Sequence, residues 1–164
     1  MIAKQSFGYR IDAVGLDLMQ FDLPNLEKTP EDSREDEVMR LRGAFDGVTG
    51  VFMTSDEYTG AYSAVLKNAI GWLRRSDPNR CTPFQGMAVA LCGTSARGVG
   101  GIRGLPALQQ LLSELGARVI TQHLELGTSE SLFDREGRLL PKAQRLLLDG
   151  CLGELCAAAS EPIM

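Results

Sequence analysis

Two short, largely apolar segments without a single charge restrict the fold of this chain more than any other feature. One covers residues 48–54 and the other residues 87–92. Neither shows the regular alternation of apolar and polar residues that a half-exposed strand has. Continuous runs of this kind are typical of strands in a parallel sheet that is covered on both faces. They predict an α/β fold.

Helical spacing of apolar residues separates these strands along the chain. The predicted order is strand 10–18, helix from Thr29 to about Ala44, strand 48–54, helix 63–73, strand 87–92, helix 102–115, strand 118–120 and helix from 141 to about 158. Strands that alternate with helices require crossover connections, which make the sheet parallel. With 164 residues, 44% of them hydrophobic, the chain is long enough for one domain over 1–164 with its own core.

Coverage of both faces of the sheet predicts which strand residues are buried. We expect burial of seven of them: Val51, Phe52, Val89, Ala90, Leu91, Val119 and Ile120.

Composition excludes several classes of function. A net charge of −4 leaves no surplus of Lys and Arg to neutralise the phosphates of a nucleic acid. No apolar run reaches the length of a membrane span, and the first residues lack the apolar core of a signal peptide, so a cytoplasmic protein is expected. The four cysteines show no CxxC spacing and His123 is the single histidine, so neither a disulfide scaffold nor a metal site is predicted.

The loop after strand 48–54 is the first candidate for a binding site, because ligands of parallel sheets bind beyond the carboxyl ends of the strands. It offers an aromatic side chain, a glycine that permits close approach of the backbone, and the N-terminus of a helix. These features suit a planar ring system, although the tyrosines could instead simply cover the end of the sheet. Its candidate residues are Ser55, Asp56, Glu57, Tyr58, Thr59 and Gly60.

The loop after strand 87–92 is the second candidate. It is rich in glycine and hydroxyl groups and precedes a helix, so its backbone N–H groups can converge on an anion or on carbonyl oxygens. It matches neither GxGxxG nor a Walker A motif. Its candidate residues are Thr94, Ser95, Gly98, Gly100 and Gly101. The two loops follow consecutive strands and are expected to lie side by side, and no side chain is predicted to be catalytic.

The first of these loops and the helix after it carry a family resemblance. Residues 57–60 (Glu-Tyr-Thr-Gly) and 65–73 resemble the Pro-Glu-Tyr-Asn-Gly and Leu-Lys-Asn-Ala-x-x-Trp-Leu motifs of the NAD(P)H-dependent FMN reductases, a family that also includes quinone-, chromate- and azo-dye-reducing members. Residues 83–91, 100–103 and 133–139 resemble later segments of the same family. The resemblance extends from about residue 11 to residue 155.

The resemblance implies a flavodoxin-like, three-layer fold with strand order 2-1-3-4-5 and FMN at the strand ends. Loop 55–60 would flank the isoalloxazine and offer backbone contacts near its N5 and O4, and loop 94–101 would follow the pyrimidine edge. NAD(P)H would be the co-substrate, and a small molecule such as a quinone the electron acceptor. The flavin supplies the chemistry in such proteins, while the protein positions it.

The sequence departs from the family at the phosphate site. Members begin with a strand and a Gly-Ser-x-Arg-x-x-Ser loop that holds the FMN phosphate, and this sequence contains no such segment. Residues 10–18 match the family's second strand, so the first strand is expected to be missing. Alternatively, residues 10–18 are the first strand, but the acidic, proline-containing loop after them is poorly suited to phosphate. Asp56 also replaces the family's proline and Thr59 its asparagine.

Two expectations follow from these departures. FMN should bind weakly, or the chain is a non-catalytic scaffold or binding protein that has lost FMN. A missing first strand and helix would leave part of one sheet face uncovered, which favours a homodimer or homotetramer that uses Tyr62 and Trp72.

Overall fold

A parallel β-sheet with helices on both faces forms the described part of the chain, which in this computed structural model comprises residues 12–27, 34–75, 82–95, 101–127 and 132–161. In chain order the elements are a 3-10 helix (Leu18–Gln20), α1 (Glu35–Gly43), β1 (Gly50–Asp56), α2 (Ala64–Arg75), β2 (Ala88–Ser95), α3 (Gly104–Glu114), β3 (Arg118–Val119), β4 (Leu124–Gly127) and α4 (Lys142–Ser160).

Strand β2 is the centre of this sheet. It pairs in parallel with β1 on one side, from Gly50 opposite Ala88 to Asp56 opposite Thr94. On its other side it pairs first with β3 and then with β4, also in parallel. The last two strands therefore form one interrupted edge. Residues 120–123 separate them, and the N–H groups of Thr121 and Gln122 donate to the Glu154 carboxylate in α4 at 2.9 and 3.4 Å.

Two hydrophobic clusters cover the two faces of the sheet. Helices α1, α2 and α3 pack on one face, where Leu41, Phe84 and Leu108 are fully buried. Helix α4 packs on the other, where Leu124 and Cys151 are fully buried. The expected three-layer α/β architecture is confirmed.

Burial of the strands follows their position in the sheet. Among the seven residues expected to be buried, Val89, Ala90, Leu91 and Ile120 are, whereas Val51, Phe52 and Val119 are only partly buried. Those three lie on β1 and β3, which are the margins of the sheet in the described residues. Coverage by the helices is incomplete there, because a marginal strand has a neighbour on one side only.

The predicted strand over 10–18 is wrong for the residues that the structure describes. Residues 12–17 form no strand, and all six are exposed, including Val14 at 88%. The Asp17 carboxylate accepts the Met19 N–H at 3.0 Å and caps the 3-10 helix that follows. Alternating residues form a strand only beside a partner with free backbone groups, and no described strand pairs with this segment. Residues 10 and 11 lie outside the described ranges.

The predicted helices are confirmed with corrected boundaries. Ile102 precedes α3 and is 49% exposed, and in α4 the side chains of Ala143 and Leu147 are exposed as well. The buried stripe of α4 is narrower, because only residues at a spacing of three or four reach the sheet, as Leu148 and Leu152 do. Thr29, the predicted start of the first helix, lies outside the described residues.

Helix α2 holds the segment that precedes α1. The Pro24 carbonyl accepts the indole N–H of Trp72 at 2.7 Å and the side-chain amide of Asn68 at 3.0 Å, and the Asn68 carbonyl oxygen accepts the Leu26 N–H at 2.8 Å. Trp72 is 7% exposed. Its predicted place in an interface between subunits is therefore wrong, since its ring is already buried within the chain.

Candidate functional site

A tight turn stands directly beyond the carboxyl end of β1. The Tyr58 N–H donates to the Ala61 carbonyl at 2.9 Å, and the Ala61 N–H donates to the Tyr58 carbonyl at 3.1 Å. The two residues between them, Thr59 and Gly60, have φ of 52° and 82°, which makes this a type I′ turn. Within the described residues, their own N–H groups donate to no acceptor. Two free donors are thus presented beside Tyr58, whose side chain is 77% exposed.

Ser55 belongs to the support of this turn. It is 7% exposed, its hydroxyl oxygen accepts the Ser63 N–H at 3.0 Å, and its O–H donates to the Asp56 carbonyl at 3.1 Å. Ser63 in turn accepts the Leu66 N–H at 3.3 Å, as an N-cap of α2. Ser55 thereby fixes the start of α2 and is buried below the surface that a ligand could reach.

The ends of β1 and β2 are joined, as their consecutive positions predicted. The Thr94 hydroxyl donates to the Asp56 carboxylate, and the Thr94 carbonyl accepts the Glu57 N–H at 2.7 Å. Asp56 remains exposed, whereas Ser95 is only 4% exposed. The first loop and the start of the second therefore lie side by side at one edge of the sheet.

Two glycines bring the N-terminus of α3 into direct contact with these strand ends. A Cβ on Gly101 would lie 2.7 Å from the Gly93 Cα, and a Cβ on Gly104 would lie 2.9 Å from the Tyr62 backbone nitrogen. Gly101 also has φ of 82°, a conformation that L residues rarely adopt. Glycine is required at both positions by close backbone contact. Gly98 and Gly100 lie outside the described residues.

Glu57 and Arg103 form an ion pair between the two loops. The carboxylate accepts the Arg103 backbone N–H at 3.0 Å and the Arg103 Nε–H at 2.8 Å, and it is also bonded to Nη2. The Glu57 side chain is 1% exposed and that of Arg103 is 55% exposed. The hydrogen bond from the Arg103 guanidinium lowers the pKa of Glu57 below its ordinary value, and backbone N–H groups at the start of α3 act in the same direction. Together they outweigh desolvation, which by itself would raise the pKa.

The chemistry of these residues fits the ring of a flavin and not its phosphate. The turn offers backbone donors and an exposed aromatic side chain to a planar group with polar edges. In the described residues of both loops Arg103 is the single basic side chain, and its guanidinium is held by Glu57, while Asp56 adds an exposed negative charge. These residues give a phosphate no cationic partner.

Sequence reasoning missed the residues that join the loops. Arg103, Ser63, Gly93 and Gly104 were not among the predicted site residues. Arg103 had one usable signal, since it is the basic residue that closes the Gly-rich loop opposite a loop with two acids.

A groove of about 1370 Å³ lies between residues 18–27 and α2, and neither loop lines it. Within the described ranges, no group of three or more metal-ligating side chains occurs. No helix there has the length and apolar character that crossing a bilayer requires.

Solved structures of oxidoreductases share this fold. The chain is similar to the NAD(P)H:(acceptor) oxidoreductase FerB of Paracoccus denitrificans, with a TM-score of 0.73, 20% identity, and coverage of 84% of this chain and 75% of that one. An oxidoreductase of Corynebacterium diphtheriae gives a TM-score of 0.59 at 19% identity, covering 89% and 70%. The apo form of the NADH:FMN oxidoreductase EmoB gives 0.54 at 20% identity, covering 90% and 70%. These likenesses show a flavodoxin-like fold.

Sequence similarity identifies the family. The chain is 30% identical over 131 residues to the NADH:(hydroxy)cinnamate reductase subunit CrdA of Vibrio ruber, and the match covers 78% of this chain and 63% of that protein. It thus spans less than two thirds of the length of this curated relative. The family model for NADPH-dependent FMN reductase matches residues 2–130. The chain therefore belongs to the NADPH-dependent FMN reductase family, whose cofactor is FMN and whose co-substrate is NAD(P)H.

Proposed function

We propose that this protein is an FMN-dependent oxidoreductase that oxidises NAD(P)H and reduces a small acceptor. The observation that carries the proposal is the type I′ turn beyond β1, where the N–H groups of Thr59 and Gly60 meet no acceptor among the described residues and lie beside the exposed Tyr58. Family membership supports the same function. Residues 1–164 would form one flavodoxin-like domain, located in the cytoplasm.

The chain's own residues would bind and orient the flavin ring. The N–H groups of Thr59 and Gly60 would donate to the acceptor atoms at its edge, near N5 and O4, and Thr94 with Gly101 would lie toward its pyrimidine side. The flavin, when bound, supplies the redox chemistry by taking a hydride from NAD(P)H and passing two electrons to an acceptor. No side chain of the site is assigned a proton-transfer role.

Weak binding of FMN is part of the proposal. The phosphate normally contributes charge-assisted hydrogen bonds, and the described residues of the two loops offer it none. Asp56 disfavours a negatively charged reduced ring at the same edge, since like charges repel. We expect a dissociation constant in the micromolar range or weaker, because each 1.4 kcal/mol of lost interaction weakens binding about tenfold.

The acceptor and the assembly are proposals of finer detail. We favour a small quinone as acceptor. The similarity to a (hydroxy)cinnamate reductase subunit raises a second candidate, transfer of electrons to a partner protein. The partly buried Phe52 at the margin of the sheet supports a homodimer or homotetramer that covers this side. The half-buried Tyr62, which packs on the other face, is a second candidate for a contact between subunits. We propose neither a nucleic-acid partner nor a membrane partner.

A comparison of two flavins tests the proposed function. FMN and riboflavin differ by the phosphate, and both are titrated into the protein while flavin fluorescence is followed. We expect both to bind with dissociation constants within about threefold of each other, because the ring carries the affinity. Anaerobic addition of NADH or NADPH should then bleach the bound flavin, and a quinone should restore its absorbance. Failure of both flavins to bind would identify the alternative, a non-catalytic scaffold.

A further inference from the structure

We propose that Glu57 is a positioning residue, which acts through Arg103 to hold the turn at Thr59–Gly60 in a fixed place relative to the N-terminus of α3. The part of this inference that concerns flavin rests on the proposed function. The part that concerns the order of the turn stands without any ligand.

The contacts of Glu57 join its own loop to two other segments. Its backbone N–H donates to the Thr94 carbonyl at the end of β2. Its carboxylate holds the Arg103 backbone N–H at 3.0 Å, at the start of α3, and the Nε–H of the same side chain at 2.8 Å. An acidic residue that only neutralised a surface arginine would stay in contact with solvent, whereas the Glu57 side chain is 1% exposed.

The guanidinium of Arg103 lies against the turn itself. A Cβ built on Gly60 would be 3.9 Å from the Arg103 Cζ, which is ordinary van der Waals contact. The backbone of Gly104, one residue further, packs against Ala61 and Tyr62. The two members of the ion pair therefore flank the turn: Glu57 precedes it in the chain, and the guanidinium of Arg103 lies next to Gly60.

This arrangement prepares the turn for binding. Free N–H groups contribute to affinity only when they point in a fixed direction before the ligand arrives, since ordering them on binding costs free energy. The bond pair of Tyr58 and Ala61 is by itself a two-bond hairpin, which is marginal in water. Glu57 supplies the additional attachment.

The test uses Glu57→Gln, which keeps the shape of the side chain and removes its charge. Glu37→Gln is the matched control, because Glu37 also accepts one arginine (Arg40) and one backbone N–H (Asp22), but lies in α1 away from both loops. Amide hydrogen exchange is measured on the free proteins. We expect the amides of Tyr58 and Ala61 to exchange about tenfold faster in the first variant and within about twofold of the wild type in the control.

Binding is measured on the same proteins. The Glu57→Gln variant should bind FMN about tenfold more weakly than the wild type, and the Glu37→Gln variant should bind equally well. If the wild type itself binds no flavin, the proposed function fails, and the inference is judged by exchange alone.

A second variant guards against a simple failure to fold. Arg103→Lys keeps the charge but loses the bidentate contact with Glu57. Exchange of the Tyr58 and Ala61 amides should be about threefold faster than in the wild type, which lies between the results expected for Glu57→Gln and Glu37→Gln. Unchanged exchange at Tyr58 and Ala61 in both site variants would overturn the inference. So would faster exchange spread equally over the amides of β2, because that pattern reports general destabilisation.

Discussion

Replacement of Gly101 by alanine should separate α3 from the end of β2. The new Cβ would stand 2.7 Å from the Gly93 Cα and 2.9 Å from the Gly93 carbonyl carbon, and these are backbone atoms that cannot rotate away. Overpacking of this kind costs about 1–3 kcal/mol. The left-handed φ of 82° adds about 1–2 kcal/mol for an L residue, of which about 0.4–1 is offset by reduced freedom of the unfolded chain. We expect Gly101→Ala to lower the free energy of unfolding by about 2–4 kcal/mol.

Two other glycines distinguish the two causes of destabilisation, which are close backbone contact and a positive φ. Gly47 has φ of 72° but open space around its Cβ position, so Gly47→Ala should lower the free energy of unfolding by about 1 kcal/mol, from backbone strain alone. Gly104 begins α3 without a positive φ, and its Cβ would lie 2.9 Å from the Tyr62 nitrogen, so Gly104→Ala reports the close contact alone. Its overpacking cost of about 1–3 kcal/mol is reduced by about 1 kcal/mol of helix propensity.

Urea denaturation followed by far-ultraviolet circular dichroism measures all three variants. The free energy of unfolding, extrapolated to water, should be lowest for Gly101→Ala, and it should be higher for both Gly47→Ala and Gly104→Ala, each of which has only one of the two causes. Equal stabilities of Gly101→Ala and Gly47→Ala, within about 0.5 kcal/mol, would refute the reasoning. They would mean that the start of α3 does not touch β2.

Three further predictions concern single side chains. Thr59→Asn should increase the free energy of unfolding by about 0.5–1 kcal/mol, because asparagine tolerates the φ of 52° better than a β-branched residue does, and thermal unfolding should show a higher melting temperature. A thiol reagent at pH 8 should label Cys156 well before Cys92, since burial raises the pKa of Cys92 to about 12, as peptide mapping can show. Trp72→Phe should destabilise the fold by about 1 kcal/mol in thermal unfolding, because the Pro24 carbonyl loses a donor.

Local burial explains which strands the sequence could predict. Strand β2 lies between two neighbours and under two layers, so five of its residues from Ala88 to Cys92 are apolar without interruption. Strand β4 was missed because it is short and carries the exposed Glu125 between buried leucines. The segment 12–17 alternates as a strand would, but pairing depends on a free edge elsewhere in the chain, and a local pattern contains no information about that edge.

The sequence predicted that the two loops lie side by side, but not the contacts that join them. The strand ends were identified because parallel topology brings them together, and Asp56 with Thr94 does meet there. Glu57 was expected to contact a ligand, whereas its carboxylate is held by Arg103, 46 positions later. Contacts over such distances are set by the path of α2 and β2, which periodicity alone does not determine.

The contact of Gly101 with Gly93 and Thr94 has a consequence for how this protein could be redesigned. Gly101 lies against Gly93 and Thr94 at the end of β2, so the two described segments that flank residues 96–100 in the sequence are close together. The free-energy cost of closing a flexible loop depends weakly on its length, and each doubling adds only about 0.6 kcal/mol. Residues could therefore be inserted between Ser95 and Gly101 while the sheet and α3 stay as they are.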